Sequence, residues 1–259
     1  MSLIGDADRD LVPGLAWGSA GYVHSVETGG TVDGPGLRYV VFTAGCPLRC
    51  LYCHNPDCFH RKNGRLMQVE DLLADMATYA PFLKRGGGGL TVSGGEPLVQ
   101  PAFTHRVLAG AKAFGLHTAL DTSGFLGAKA SDALLADTDL VLLDIKAFAP
   151  DTYERVTGVA LQPTLDFARR LAALGKPVWV RYVLVPGLTD TPAEIEGLAD
   201  FVADLAVVER VEVLPFHKMG EWKWEQLDMP YQLKDTQPPS EALQESTRDA
   251  FRRRGLAVA

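Results

Sequence analysis

Hydrophobic and polar positions alternate along the chain in two recurring patterns: short apolar runs, and longer stretches with a period of three to four residues. A β-rich segment spans Tyr22–Glu27, and the apolar run Leu37–Thr43 predicts a strand. From Val69, the side chains of Leu72, Leu73, Met76, Ala80 and Leu83 fall on one face of a helix that Gly86–Gly89 ends. Leu90–Val92 predicts a strand, Ala102–Phe114 a helix stopped by Gly115, and Leu116–Asp121 another strand. Leu140–Ile145 is almost wholly apolar, as a strand covered on both faces should be. Helix Leu165–Leu174, strand Val178–Val185, helix Pro192–Leu205, strand Val211–Leu214 and a last helix, Ser240–Arg254, complete the pattern.

Strand–helix units recurring roughly every 25–30 residues imply a parallel sheet with right-handed crossovers. A closed eight-unit barrel takes about 250 residues of such repeats. Residues 1–20 read as an N-terminal leader, and the long segment Gly220–Pro239 consumes further length. The expected fold class is therefore α/β, a partial (β/α)6 TIM-like barrel. No linker-like stretch divides residues 21–259, which read as one domain.

Composition narrows the classes of function. With 47% hydrophobic and 22% charged residues the chain can bury a core, which excludes disorder for its bulk. A formal charge of −7 argues against nucleic acid or an anionic membrane as the main partner, since either asks for a basic face. Every apolar run is cut well short of a bilayer span, and Met1–Asp10 lacks the basic-then-apolar order of a secretory signal. A cytoplasmic location is expected.

Cysteine use is the first sign of chemistry. All four, Cys46, Cys50, Cys53 and Cys58, lie in one short stretch. A disulfide framework would spread them to close loops, and the cytosol would reduce it, so metal or redox chemistry is the better reading. Two sites fit the Cys-x3-Cys-x2-Cys run alone. Three thiolates can hold a four-iron cluster with one iron left open, or a zinc ion whose fourth ligand is His54, His60 or Cys58. Cys58 falls outside the tight spacing and reads as a free or buried thiol.

In α/β folds the loops after the strands build the site. Here those loops carry the cysteines, Ser93-Gly-Gly-Glu96, Asp121-Thr-Ser-Gly124, Asp144 with Lys146, and His217; Arg181 lies within a strand. No nucleophile–base pair is evident among them. Gly86–Gly89 lacks the Lys-Ser/Thr of a phosphate loop and precedes a strand, so it reads as a flexible turn. The stretch around Trp222–Trp224 and Pro238-Pro239 suits a lid, a docking surface or a solvated connector.

Together, Cys46-x3-Cys50-x2-Cys53 after the first barrel strand and Gly94-Gly95-Glu96 after the second resemble the radical S-adenosylmethionine superfamily. Thr31-Val-Asp-Gly-Pro-Gly-Leu-Arg38, Tyr52-Cys-His-Asn55 and Leu143-Asp-Ile-Lys146 narrow the likeness to the glycyl-radical-enzyme activating enzymes. Having no further cysteine clusters, the chain resembles their short type, whose protein substrate is pyruvate formate-lyase.

The resemblance implies a 4Fe–4S cluster on Cys46, Cys50 and Cys53, with S-adenosylmethionine on the open iron. Reductive cleavage of that cofactor would abstract a hydrogen from one glycine of the partner under anaerobic conditions. Gly94 and Gly95 would let backbone approach the methionine moiety, and Glu96 would hold it by charge. Asp144 and Lys146, two apart and so on one face, would contact S-adenosylmethionine, or else form an ordinary ion pair. His217 would meet the ribose, and Tyr52 and His54 would pack near the adenine. Asp121 and Thr122 would seat a monovalent cation. Asp33 would bind substrate peptide backbone; its composition alone suits a tight turn. Arg181 has no assigned role. Implied partners are the glycyl-radical enzyme and a one-electron donor such as flavodoxin or ferredoxin, with no nucleic acid and no membrane. The alternatives are activation of another glycyl-radical enzyme, a small-molecule radical reaction, or a structural zinc protein without radical chemistry.

Overall fold

A computed structural model describes residues 18–259, so the expected leader falls almost wholly outside the described residues. The first strand, β1 (Ala20–Gly30), pairs antiparallel with β2 (Arg38–Thr43) and with β3 (Arg65–Gln68). From β2 the chain alternates. It runs α1 (Val69–Arg85), β4 (Gly89–Gly94), α2 (Pro101–Ala113), β5 (His117–Thr122), α3 (Asp132–Ala136) and β6 (Leu140–Asp144). Then follow α4 (Pro150–Thr157), α5 (Gln162–Ala173), β7 (Val178–Leu184), α6 (Pro192–Ala203), β8 (Val208–Pro215), α7 (Glu221–Gln226) and α8 (Glu241–Arg252).

All eight strands join one sheet in the order β3-β1-β2-β4-β5-β6-β7-β8. The run from β2 to β8 is parallel throughout and supplies the six strands of the expected partial barrel. The antiparallel β1–β3 ribbon extends one edge, and β3, four residues long, has too short a pattern to announce itself. At the other edge the chain end runs beside β8: Val211 N–H donates to the Ala257 carbonyl at 2.8 Å and Ala259 N–H to the Val211 carbonyl at 3.0 Å. That covers backbone groups an open edge would leave unpaired.

Side-chain alternation divides each strand between two environments. Val141 and Leu143 of β6 join the large core between sheet and helices, with Leu72, Met76, Val107 and Leu198. Leu140 and Leu142 point the other way and pack with Ala119 of β5 and Trp179 of β7. Two residues further along the same faces stand Asp121, Asp144 and Arg181, and Asp144 pairs in register with Arg181. The inside of the barrel is thus an apolar layer topped by a charged one. That step from apolar to charged places the site.

The glycine run behaves differently from the flexible turn that its composition suggests. A Cβ on Gly36 would lie 2.4 Å from the Gly86 carbonyl oxygen, and one on Gly88 would lie 1.9 Å from that of Leu37. Gly88 and Gly89 therefore sit where backbones press together and glycine is needed for space, whereas Gly87, with φ +62° and nothing near a Cβ, is glycine for its backbone conformation.

Candidate active site

A cavity of about 770 Å³ opens at the C-terminal ends of the barrel strands. The structure brings to its wall Asp33, Cys46, Cys50, Tyr52, Cys53, His54, Gly94, Gly95, Asp121, Thr122, Asp144, Lys146 and His217. Arg181 and Glu212 line it too. Of the sequence-predicted site residues, only Glu96 stays out.

The cysteine loop is held on three sides. Cys46 N–H donates to the Phe59 carbonyl at 3.2 Å, on a short 3₁₀ turn that begins at Pro56. Arg49 and Leu51 donate backbone N–H groups to Thr157 (2.7 Å) and Val156 (3.0 Å) at the end of α4. From α7, the Trp224 indole N–H donates to the Cys53 carbonyl at 2.9 Å, while a Cβ on Gly220 would lie 2.7 Å from the His54 Cα. The segment that opens Gly220–Pro239 is therefore a wall of the cysteine loop. Neither α4 nor α7 was legible in the sequence: both are short and polar. Burial pushes the Cys46 thiol well up, and burial with the neighbouring Cys50 pushes Cys53 up to about 12. Thiols in that state ionise when a cationic centre binds them.

Cys58 is buried and does not line the cavity; its sulfur lies with His24 and Asp57, all three ligand atoms within 4.8 Å of one another. Asp57 is already held by His24 at 2.9 Å and Lys223 at 3.0 Å. His60 is exposed and also off the cavity.

Charged groups converge on the floor. Lys146 Nζ donates to Asp144 Oδ2 at 2.7 Å. Arg181 Nη1 donates to Asp121 Oδ2 at 3.1 Å, and Ser93 Oγ donates to the same oxygen at 2.6 Å. Burial works against the Asp144 carboxylate, but Lys146 and Arg181 outweigh it and hold its pKa below the usual range. Among the described residues, Asp121 Oδ1, Arg181 Nε and His217 Nδ1 are buried with no hydrogen-bond partner. Orphaned polar atoms are rare in folded interiors, and all three residues line this cavity. At the rim, the His54 and His217 rings lie 4.2 Å apart between centroids, and His54 Nε2 is 3.1 Å from the His217 carbonyl oxygen. Tyr52 is buried below, its hydroxyl donating to the Lys146 carbonyl at 3.3 Å.

Two expectations change. Glu96 does not offer its charge to a cofactor: it is fully buried and accepts from Thr122 Oγ1 (2.7 Å), Ser123 Oγ (2.6 Å), Ser123 N–H (3.0 Å) and Leu98 N–H (3.1 Å). It ties the end of β4 to the end of β5, and Thr122 and Ser123, which supply three of its four bonds, lie 26 and 27 residues away, beyond any local pattern. Gly94 and Gly95 do line the cavity, yet their missing side chains make room for protein. A Cβ on Gly94 (φ +114°) would lie 2.2 Å from Thr43 N, and one on Gly95 2.5 Å from the Gly45 carbonyl oxygen. Glycine here lets β4 and the cysteine loop close on each other.

Asp33 differs from the other acids. Its carboxylate accepts no hydrogen bond among the described residues, although its backbone carbonyl accepts one from Thr91 Oγ1 at 2.6 Å. The side-chain bond of an ordinary Asx turn is missing. Burial first, then the nearby Asp121 charge, pushes its pKa up to about 6 against the opposing pull of Arg181.

Comparison with known proteins agrees with this arrangement. A model of the radical SAM superfamily matches residues 40–202. The chain is 44% identical over 239 residues to a pyruvate formate-lyase-activating enzyme of Staphylococcus epidermidis, covering 90% of this chain and 94% of that one. A domain of a pyruvate-formate lyase-activating enzyme from Bacteroides vulgatus superposes with a TM-score of 0.57 at 27% identity, over 67% of this chain and 98% of that one. Streptococcus suis SuiB bound to S-adenosylmethionine shares the fold with a TM-score of 0.65 at 15% identity, over 88% of this chain and 50% of that one.

Proposed function

The chain belongs to the radical SAM superfamily, and on that footing we propose that it activates pyruvate formate-lyase by removing a hydrogen from one glycine of that enzyme. The superfamily works with a 4Fe–4S cluster and S-adenosylmethionine. When bound, they supply the electron, the reductive cleavage and the hydrogen abstraction, and the protein supplies binding, orientation and exclusion of water.

The donor set fits both groups. Cys46, Cys50 and Cys53 would hold the cluster, three thiols on one clamped loop in the cavity wall. The buried Lys146–Asp144 pair would offer S-adenosylmethionine a cation and an acceptor side by side. His217 Nδ1, which has no partner among the described residues, would bond its ribose, with Tyr52 and His54 flanking the adenine. Gly94 and Gly95 would present backbone to the methionine end. Asp121 Oδ1, equally unpartnered, would hold a monovalent cation beside the carboxylate, with Thr122 next to it. Glu96 would act one layer beneath, fixing Thr122 and Ser123.

One observation carries the choice of a protein substrate. Asp33 keeps its carboxylate unpaired at the cavity wall while its backbone is anchored. A glycine offers no side chain to grip, so a reagent that selects one must recognise backbone, and an unpaired carboxylate accepts peptide N–H groups. The one-electron donor would be a small redox protein such as flavodoxin or ferredoxin. No described helix is long and apolar enough to cross a membrane, and the cytoplasm is the proposed location.

The test is Asp33→Ala. It should keep cluster absorbance and S-adenosylmethionine binding yet fail to produce a glycyl radical on pyruvate formate-lyase. Activation at the parental rate would remove Asp33 from substrate binding.

A further inference from the structure

Arg38 opens β2 fully buried, and among the described residues no carboxylate pairs with its guanidinium. Burying a cation without a counter-charge is costly, and here burial lowers its pKa to about 10. Its N–H groups serve neutral acceptors. Nε donates to Thr91 Oγ1 at 2.9 Å, Nη1 to the Pro35 carbonyl at 3.3 Å, and Nη2 to the carbonyls of Leu90 and His117. Nη1 also lies 3.2 Å from His117 Nδ1.

Thr91 passes the grip on. Fully buried on β4, it accepts from Arg38 and donates to the Asp33 carbonyl. Because Arg38 fills one lone pair of the hydroxyl, the proton is left to point at Asp33. The loop backbone is therefore held on both sides of Gly34, at Asp33 through Thr91 and at Pro35 through Arg38. Gly34 (φ +123°) takes a conformation that frees the chain to pass between them. Beyond it, Gly36 presses on Gly86 and Gly87. Every one of these contacts fixes backbone, and the Asp33 carboxylate carries none of the load.

We propose that Arg38 and Thr91 are positioning residues that hold the Asp33 carboxylate, unpaired, where an incoming peptide backbone meets it. The proposal rests on the reading of Asp33 as a substrate contact. It goes further in naming what aims it: a buried arginine at the foot of the barrel, acting through one threonine hydroxyl.

The test compares Thr91→Val, which keeps shape and removes the hydroxyl, with Thr91→Ser, which keeps the hydroxyl. The probe is a synthetic peptide spanning the radical glycine of pyruvate formate-lyase, assayed anaerobically for KM and kcat. Thr91→Val should raise the peptide KM about tenfold, with kcat changed much less, as expected when one buried hydrogen bond that orients a ligand group is lost. Thr91→Ser should stay within about twofold of the parent. A parental KM in Thr91→Val overturns the proposal, as does a rise matched by an equal loss of S-adenosylmethionine affinity, which would mean general damage. If Thr91→Val does not accumulate folded protein, Thr91→Ala replaces it under the same criteria. Asp33→Ala is run alongside: a parental KM there refutes the substrate-contact reading itself, whereas loss there with parental Thr91→Val refutes only the positioning role.

Discussion

Lys146 Nζ and Asp144 Oδ2 lie 2.7 Å apart on the inward face at the end of β6, both largely shielded from solvent. Burial alone would discharge the lysine, but the Asp144 carboxylate, joined by Tyr52 and Cys50, outweighs it and holds the ammonium well above its ordinary pKa. Neither charge is free to leave: Asp144 also lies 4.0 Å from Arg181 Nε, which in turn lies 3.7 Å from Glu212. A buried pair on the floor of a cavity is weak evidence for stability and better evidence for a ligand that shares the charges.

Lys146→Ala should therefore leave the cluster in place and weaken S-adenosylmethionine binding by about 1.5–3 kcal/mol, the usual worth of a charge-assisted contact. Calorimetry on the cluster-loaded variant measures it. Parental affinity would return the lysine to a structural ion pair.

Cys46→Ala, Cys50→Ala and Cys53→Ala should each fail to retain iron after anaerobic reconstitution, whereas Cys58→Ser should retain it. Iron per chain and visible absorbance decide. Loss of the cluster in Cys58→Ser would show that the thiol beside His24 and Asp57 belongs to the ligand set after all.

Glu96→Gln tests the corrected role of the second motif. All four groups that meet the carboxylate are donors, so the new amide must turn an N–H toward one of them. The expected cost is about 2 kcal/mol, or ~4–8 °C in Tm for a chain of this size. Unchanged Tm with lost S-adenosylmethionine binding would instead make Glu96 a direct ligand.

These assignments show where sequence was legible and where it was not. The six parallel strands could be read because apolar runs such as that of β6 are local, and the cysteine loop because its spacing is local too. The α4 and α7 clamps and the Glu96 tie could not be read that way. Helices α4 and α7 are too short for periodicity to show; Glu96 meets partners on another strand. Arg38 is the sharpest case, since a charged residue opening a strand looks exposed, yet it is fully buried by neighbours from β4 and β5.

Asp33 predicts a pH dependence of both activity and stability. Its native pKa, about 6, stands above the 3.8 of an ordinary aspartate. Burial and the charges of Asp121 and Glu27 raise it, and those of Arg181 and Arg38 oppose them. Binding through the carboxylate should strengthen as pH rises through about 6, seen as a fall in peptide KM that Asp33→Asn lacks. Stability runs the opposite way. Between pH 3.8 and about 6 the native state holds a proton that the unfolded chain has released, so Asp33 increasingly destabilises the fold as pH rises and does so fully above pH 6. Asp33→Asn should therefore melt higher than the parent at pH 7, with the gap closing toward pH 4. A constant gap would mean that the side chain titrates normally.

The most direct measurement is electron paramagnetic resonance of pyruvate formate-lyase mixed anaerobically with the reduced, cluster-loaded protein and S-adenosylmethionine. A glycyl-radical doublet, absent without S-adenosylmethionine and absent with Cys50→Ala, is the expected result. No doublet from a preparation that holds a full four-iron cluster and cleaves S-adenosylmethionine would contradict pyruvate formate-lyase as the substrate.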